Sequence, residues 1–136
     1  MNRHPIDVWH DLVRSLDPAG LDDLLGEKAV FFSPVVHTPQ HGKAIVKAYL
    51  SAALKVFSNP TFRYVREIFG PSDTMLEFET EIDGVLVNGV DIIKWDGSGK
   101  IVEFKVMIRP LKAINLIHER MGAALAAASR PFEQER

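Results

Sequence analysis

The chain has 136 residues, 16 basic against 18 acidic, for a net charge of −2. That length suits one domain with a real core, and the near-neutral balance excludes the basic footprint of a nucleic-acid or anionic-membrane binder. There is no cysteine, which excludes disulfides, thiolate nucleophiles and cysteine metal sites together. The N-terminal MNRHPIDVWHDL meets charged residues too early for a signal peptide. No apolar run approaches the roughly 20 residues of a membrane span, so a soluble cytoplasmic protein is expected.

In chain order, Val8, Trp9, Leu12, Val13 and Leu16 follow one-face spacing and predict a helix over residues 5–17, with Pro5 suited to its first turn. Leu21, Leu24 and Leu25 predict a second, short helix ended at Gly26. Ala29–Phe32 reads as a short strand that breaks at Ser33-Pro34. A helix over about 42–58 carries the stripe Ile45, Val46, Tyr49, Leu50, Ala53, Leu54 and Phe57. Strands follow at 61–69, 74–83, 85–95 and 100–109, with Asp83-Gly84 as a strong hairpin signal. A last helix runs from Pro110 to about Ala128, and residues 129–136 read as a flexible tail. Helices followed by a meander of long antiparallel strands make an α+β pattern. Such strands twist and curl into a trough that the early helices can cover.

Two segments carry a family resemblance. One is LDDLLGEKAVFFSPVVHTPQHG, residues 21–42, and the other is GVDIIKWDGSGKIVEFKVMIRP, residues 89–110. With the order of elements over about residues 6–110, they make the sequence similar to the SnoaL-like branch of the nuclear transport factor 2-like (NTF2-like) superfamily, also called ketosteroid-isomerase-like or cystatin-like. The resemblance implies a cone: a curved antiparallel sheet wrapped around N-terminal helices as an open barrel, here with an extra C-terminal helix. It further implies a homodimer and a pocket for a small apolar molecule, without metal or cofactor.

The resemblance gives Asp91 a role. In ketosteroid isomerases an aspartate on the corresponding strand stays protonated in an apolar site and donates to the substrate oxyanion. Their general base falls here on Ser33, before Pro34, and their oxyanion tyrosine on about Leu12. Two of the three groups are therefore replaced, and steroid isomerisation by that mechanism is not expected. His37 is the nearest substitute base, since histidine titrates near neutrality.

The residues themselves leave Asp91 two orientations. It faces a pocket with Val87, Ile93 and Trp95, or it lies on the outer sheet face, solvated or paired with Lys94 or Lys105. The expected site is Asp91 and His37 as catalytic groups, with Trp9, Ser33, Tyr49, Tyr64, Phe78, Trp95 and Phe104 lining the pocket. Glu77, Glu79 and Glu81 alternate with Leu76, Phe78 and Ile82 and form the solvated or dimer-facing side. Asn88 belongs on that side, and Arg109 holds an anion or pairs with one of those glutamates. No HxxxH, HExxH, GxSxG or GxGxxG spacing occurs. The leading reading is a cofactor-free isomerase, cyclase or hydratase of an apolar carbonyl or polycyclic compound, and the alternative is a non-catalytic binding or dimerisation module. A limonene-type epoxide hydrolase would need a second pocket aspartate and an arginine beside Asp91.

Overall fold

The structure is a computed structural model that describes residues 4–134, with side chains as far as residue 127. Helix α1, Pro5–Ser15, begins where the His4 ring accepts a hydrogen bond from the Ile6 N–H at 3.1 Å, satisfying one of the orphan donors of the first turn. It buries Ile6, Trp9 and Leu12. Leu16, expected in that stripe, caps the helix at φ 59° and is 48 % exposed. A 3₁₀ turn over Pro18–Gly20 leads to the single turn α2, Leu21–Leu24.

Strand β1, Leu25–Phe32, starts four residues before the expected Ala29 and runs through Gly26. Gly26 is therefore a strand residue and not a helix stop. A two-residue β2, Gln40–His41, folds back on β1 before α3, Lys43–Phe57. Strands β3, Arg63–Phe69; β4, Asp73–Ile82; β5, Val85–Trp95; and β6, Ile101–Arg109, form the meander. Asp83 and Gly84 join β4 to β5 with φ of 51° and 79°, the two positive values a tight type I′ turn requires. Helix α4, Leu111–Gln134, ends the chain. The predicted tail from 129 is thus helical as far as 134, and residues 135–136 lie outside the described residues.

The strands form one open, curved sheet in the order β2-β1-β6-β5-β4-β3. The α+β cone with its additional C-terminal helix is the expected architecture, with one difference. β1 enters parallel to β6, pairing Phe31 with Phe104, so the sheet is mixed where a wholly antiparallel one was expected. A hairpin joins only antiparallel strands, and here α3 carries the chain to the far edge at β3, from which the meander returns to set β6 beside β1. The core fills the concave side: Leu76, Phe78, Val87, Ile93 and Phe104 from the sheet meet Ile6, Trp9, Leu50 and Ile117 from the helices. Among the described residues no helix is long and apolar enough to cross a membrane.

Candidate functional site

Asp91 sits mid-strand on β5, opposite Leu76 of β4 and Val106 of β6. It faces the concave side with Val87 and Ile93 and is 6 % exposed. That places it away from Lys94, which reaches Glu103, and from Lys105, which lies over the Phe32 ring. Gly89, two residues earlier on the same face, shapes the floor beside it. A Cβ there would come within 2.4 Å of Phe78 Cζ, so the bare backbone lets the Phe78 ring lie across β5.

The partner of Asp91 comes from the sheet edge. Tyr64 donates its hydroxyl to Asp91 Oδ2 at 3.4 Å, and Trp9 Nε1–H of α1 donates to the Tyr64 oxygen at 2.9 Å. The polarity runs one way, from indole to phenol to carboxylate, so each bond strengthens the next. Tyr64 is the one β3 residue withdrawn from the surface, just before an irregularity in register with β4 between Tyr64 and Arg66. Bulges of this kind re-aim side chains at sheet edges. The outer rim of the phenol meets His10, ring centroids 5.1 Å apart, and His10 in turn bonds Glu67 at 2.6 Å.

Burial sets the chemistry of the pair. Desolvation pushes the Asp91 carboxyl from 3.8 up to about 7, while the Tyr64 hydrogen bond pulls the other way. Burial, helped by the Asp91 charge, raises the Tyr64 hydroxyl well above its usual value, so it stays a neutral donor at physiological pH. Asp91 is thus divided between acid and carboxylate near neutrality, the range in which a proton-transfer group works best.

Asp91, Tyr64, Trp9, Phe78 and Phe104 line one cavity of about 40 Å³, water-sized rather than ligand-sized. Leu54, Phe57, Phe62 and Val106 complete its apolar wall. Ser33 and Tyr49, expected in the same pocket, line a second cavity of about 180 Å³ beneath α4. The Ser33 hydroxyl accepts from the N–H groups of Val35 and Val36, closing the turn after β1, and Tyr49 stacks on Phe31 at 5.2 Å. Trp95 lines neither cavity. It lies four residues beyond Asp91, about 13 Å along the strand, with its ring 4.8 Å from that of His4. His37 is exposed on the loop between β1 and β2 and lines neither cavity. Phe62 carries no periodic signal in the sequence, whereas Phe57 belongs to the apolar stripe of α3. Among the described residues, no cluster of three or more histidines or carboxylates is placed to hold a metal.

On the outer face Glu79 pairs with Arg63 at 2.7 Å, and Glu77 lies 3.4 Å from Arg66. Asn88 donates to Glu77 at 3.0 Å and accepts from Arg109 at 3.4 Å. Arg109 therefore reaches Glu77 only through Asn88.

The open curved-sheet cone defines a fold that known structures share. A steroid delta-isomerase from Pseudomonas aeruginosa matches with a TM-score of 0.86 and 35% identity, over 91% of this chain and 90% of that one. An uncharacterized protein with a cystatin-like fold from Silicibacter pomeroyi matches at 0.84 and 29%, over 95% and 90%. An NTF2-like protein of unknown function from Mesorhizobium loti shares the fold at 0.68 and 20%, over 78% and 88%. No protein-family model matches the sequence, and no curated protein does. The chain belongs to the NTF2-like, ketosteroid-isomerase-like superfamily.

Proposed function

We propose that this protein binds a small apolar compound through a carbonyl or related oxygen held by Asp91 and Tyr64, and that it acts on that compound as a SnoaL-like, cofactor-free isomerase, cyclase or hydratase. The observation that carries the reading is a buried carboxyl 3.4 Å from the hydroxyl of a half-buried phenol, with apolar side chains around both. When Asp91 is protonated and the Tyr64 O–H turns from its carboxyl to the bound oxygen, two convergent donors stabilise negative charge developing on that oxygen. The carbonyl becomes a stronger electrophile and its neighbouring C–H a stronger acid, with water taking or returning the proton. The similarity to a steroid delta-isomerase supports the isomerase arm. The exposure of His37 means that the acid role of Asp91 is proposed without a histidine base beside it.

The test is a panel of β,γ-unsaturated cyclic ketones, with conversion to the conjugated isomer read by ultraviolet absorbance and binding read by thermal shift. Turnover above the buffer rate is expected. Binding without turnover would instead favour the non-catalytic module, a reading supported by the inner cavity's lining, which among the described residues holds no histidine and no second carboxylate. No stabilisation by any ketone would sink both.

The same fold supports a homodimer through the convex face. Ile68, Met75 and Met107 are 54 %, 40 % and 49 % exposed there, around a groove that also carries Arg66, Glu77 and Arg109. Mixed charges around an apolar centre suit a two-fold contact in which each patch meets its own copy. Sedimentation at micromolar concentration should show a dimer, and Met107→Lys should shift it to monomer. A wild-type monomer at that concentration would remove the proposal.

A further inference from the structure

The space beside Asp91 is too small for a carbonyl compound of more than a few atoms, so a ligand whose oxygen reaches Asp91 must extend beyond it. Two neighbouring pockets share lining residues with this cavity, and each marks a route for the rest of a ligand. One passes Phe62 and Tyr64 into a surface pocket walled by His10, Arg14, Asn59 and Arg63, where an apolar tail would displace water from charged groups. The other leads under α4. Ala53, Phe57 and Val106 line both the inner cavity and the larger one beneath that helix. Its far wall is largely apolar, with Phe31, Tyr49, Ile117, Met121 and Leu125 against the two polar side chains Ser33 and His118. Ile117, Met121 and Leu125 recur every four residues and present one face of α4 over about 12 Å of its length.

Phe57 stands at the junction. It is the last residue of α3 and half-buried, with its ring edge-on to Phe78 at 5.3 Å. Beyond it the chain leaves the helix at Ser58, which is extended at ψ 118°.

We propose that the two cavities are one ligand site divided by the Phe57 side chain, and that the ligand is an elongated amphiphile: an oxygen-bearing head against Asp91 and Tyr64, and an apolar tail under α4. This rests on the oxygen-binding reading above and adds the shape of the substrate to it. The extra C-terminal helix is then the roof of the tail site, and Ala53 is small because the tail passes it.

The experiment is calorimetric titration of the full chain with 4-methylphenol, 4-butylphenol and 4-hexylphenol. All three present the same hydroxyl head. Affinity should rise about fourfold for each methylene added, the three compounds should compete for one site, and the gain should disappear in Met121→Trp, which fills the tail cavity and does not line the inner one, while 4-methylphenol still binds. Binding of 4-methylphenol with no gain along the series overturns the tail site and leaves the oxygen site standing. A gain that survives in Met121→Trp also overturns it, because the tail then lies elsewhere. No binding by any of the three overturns both readings. Circular dichroism checks that the variant folds; should it not, Phe57→Trp, which thickens the partition, takes its place, and a flat series in the wild type decides the matter without either variant.

Discussion

Raising the pH from about 4 to about 8 is expected to cost the folded protein about 4 kcal/mol through Asp91 alone. The unfolded carboxyl ionises near 3.8, whereas the folded one ionises only near 7 because burial penalises its charge. Below the first value both states hold the proton and nothing is lost. Between the two, the unfolded chain has released its proton and the folded chain retains it, so each step up in pH favours unfolding. Above the second, both are ionised and the deficit is constant. The direction is opposite to that of a salt-bridged aspartate, whose contribution is lost in acid. Asp91→Asn keeps the shape and deletes the titration, so urea unfolding of both proteins across this range isolates the term. The wild type should lose stability relative to the variant through the window, and the variant should be the more stable at pH 8. His10 and Glu67, beyond Tyr64, are present in both proteins and cancel. Parallel curves would mean that Asp91 titrates as an ordinary solvated carboxylate.

That a destabilising residue occupies the middle of β5 is where local reading of the sequence gave out. Val85–Trp95 is observed at its predicted bounds, and the Asp83-Gly84 turn has the expected backbone, because alternation and turn chemistry are local signals. Alternation also divided β4 correctly, with Leu76, Phe78 and Ile82 buried and Glu81 exposed. It left the face of Asp91 open because both faces of β5 carry aliphatic residues. What resolves it is distant in sequence: Tyr64, 27 residues away, and Trp9, 55 residues beyond that. The irregularity beside Tyr64 leaves no trace in composition. The early start of β1 escaped for the same reason, since Leu25 and Gly26 are strand residues only because β6 lies alongside, Leu25 facing Ile101. Trp95 shares the parity of Asp91 but sits too far along the strand to share its cavity. His37 is exposed because it belongs to a loop whose path no local pattern specifies. Helix α4 runs past its expected end near Ala128 to Gln134, and no local signal in residues 129–134 accounts for that extension.

In the ketone assay, Asp91→Asn is expected to lower turnover by about 10²–10⁴-fold, the range for losing a positioned general acid. The amide can still donate a hydrogen bond from nitrogen, so binding should fall far less than rate, and the loss should appear in kcat rather than KM. The pH profile separates the possible roles of the carboxyl. If Asp91 acts as the acid, kcat/KM is flat below about pH 7 and drops tenfold per unit above it, as the protonated form is lost. A carboxylate acting as base would give the mirror image, rising through the same value. Tyr64→Phe serves as the internal control. Its hydroxyl is the one group pulling the Asp91 carboxyl downward, so its removal should move the break in the profile to higher pH. It should also cost about 1–3 kcal/mol of stability by leaving the Trp9 N–H without its acceptor. A break that stays in place in Tyr64→Phe would show that the titrating group is not Asp91, and unchanged turnover in Asp91→Asn would end the acid role outright. An acid of this kind is effective because it is costly: the burial that destabilises the fold above neutrality is what keeps a proton on the carboxyl where a substrate oxygen can use it.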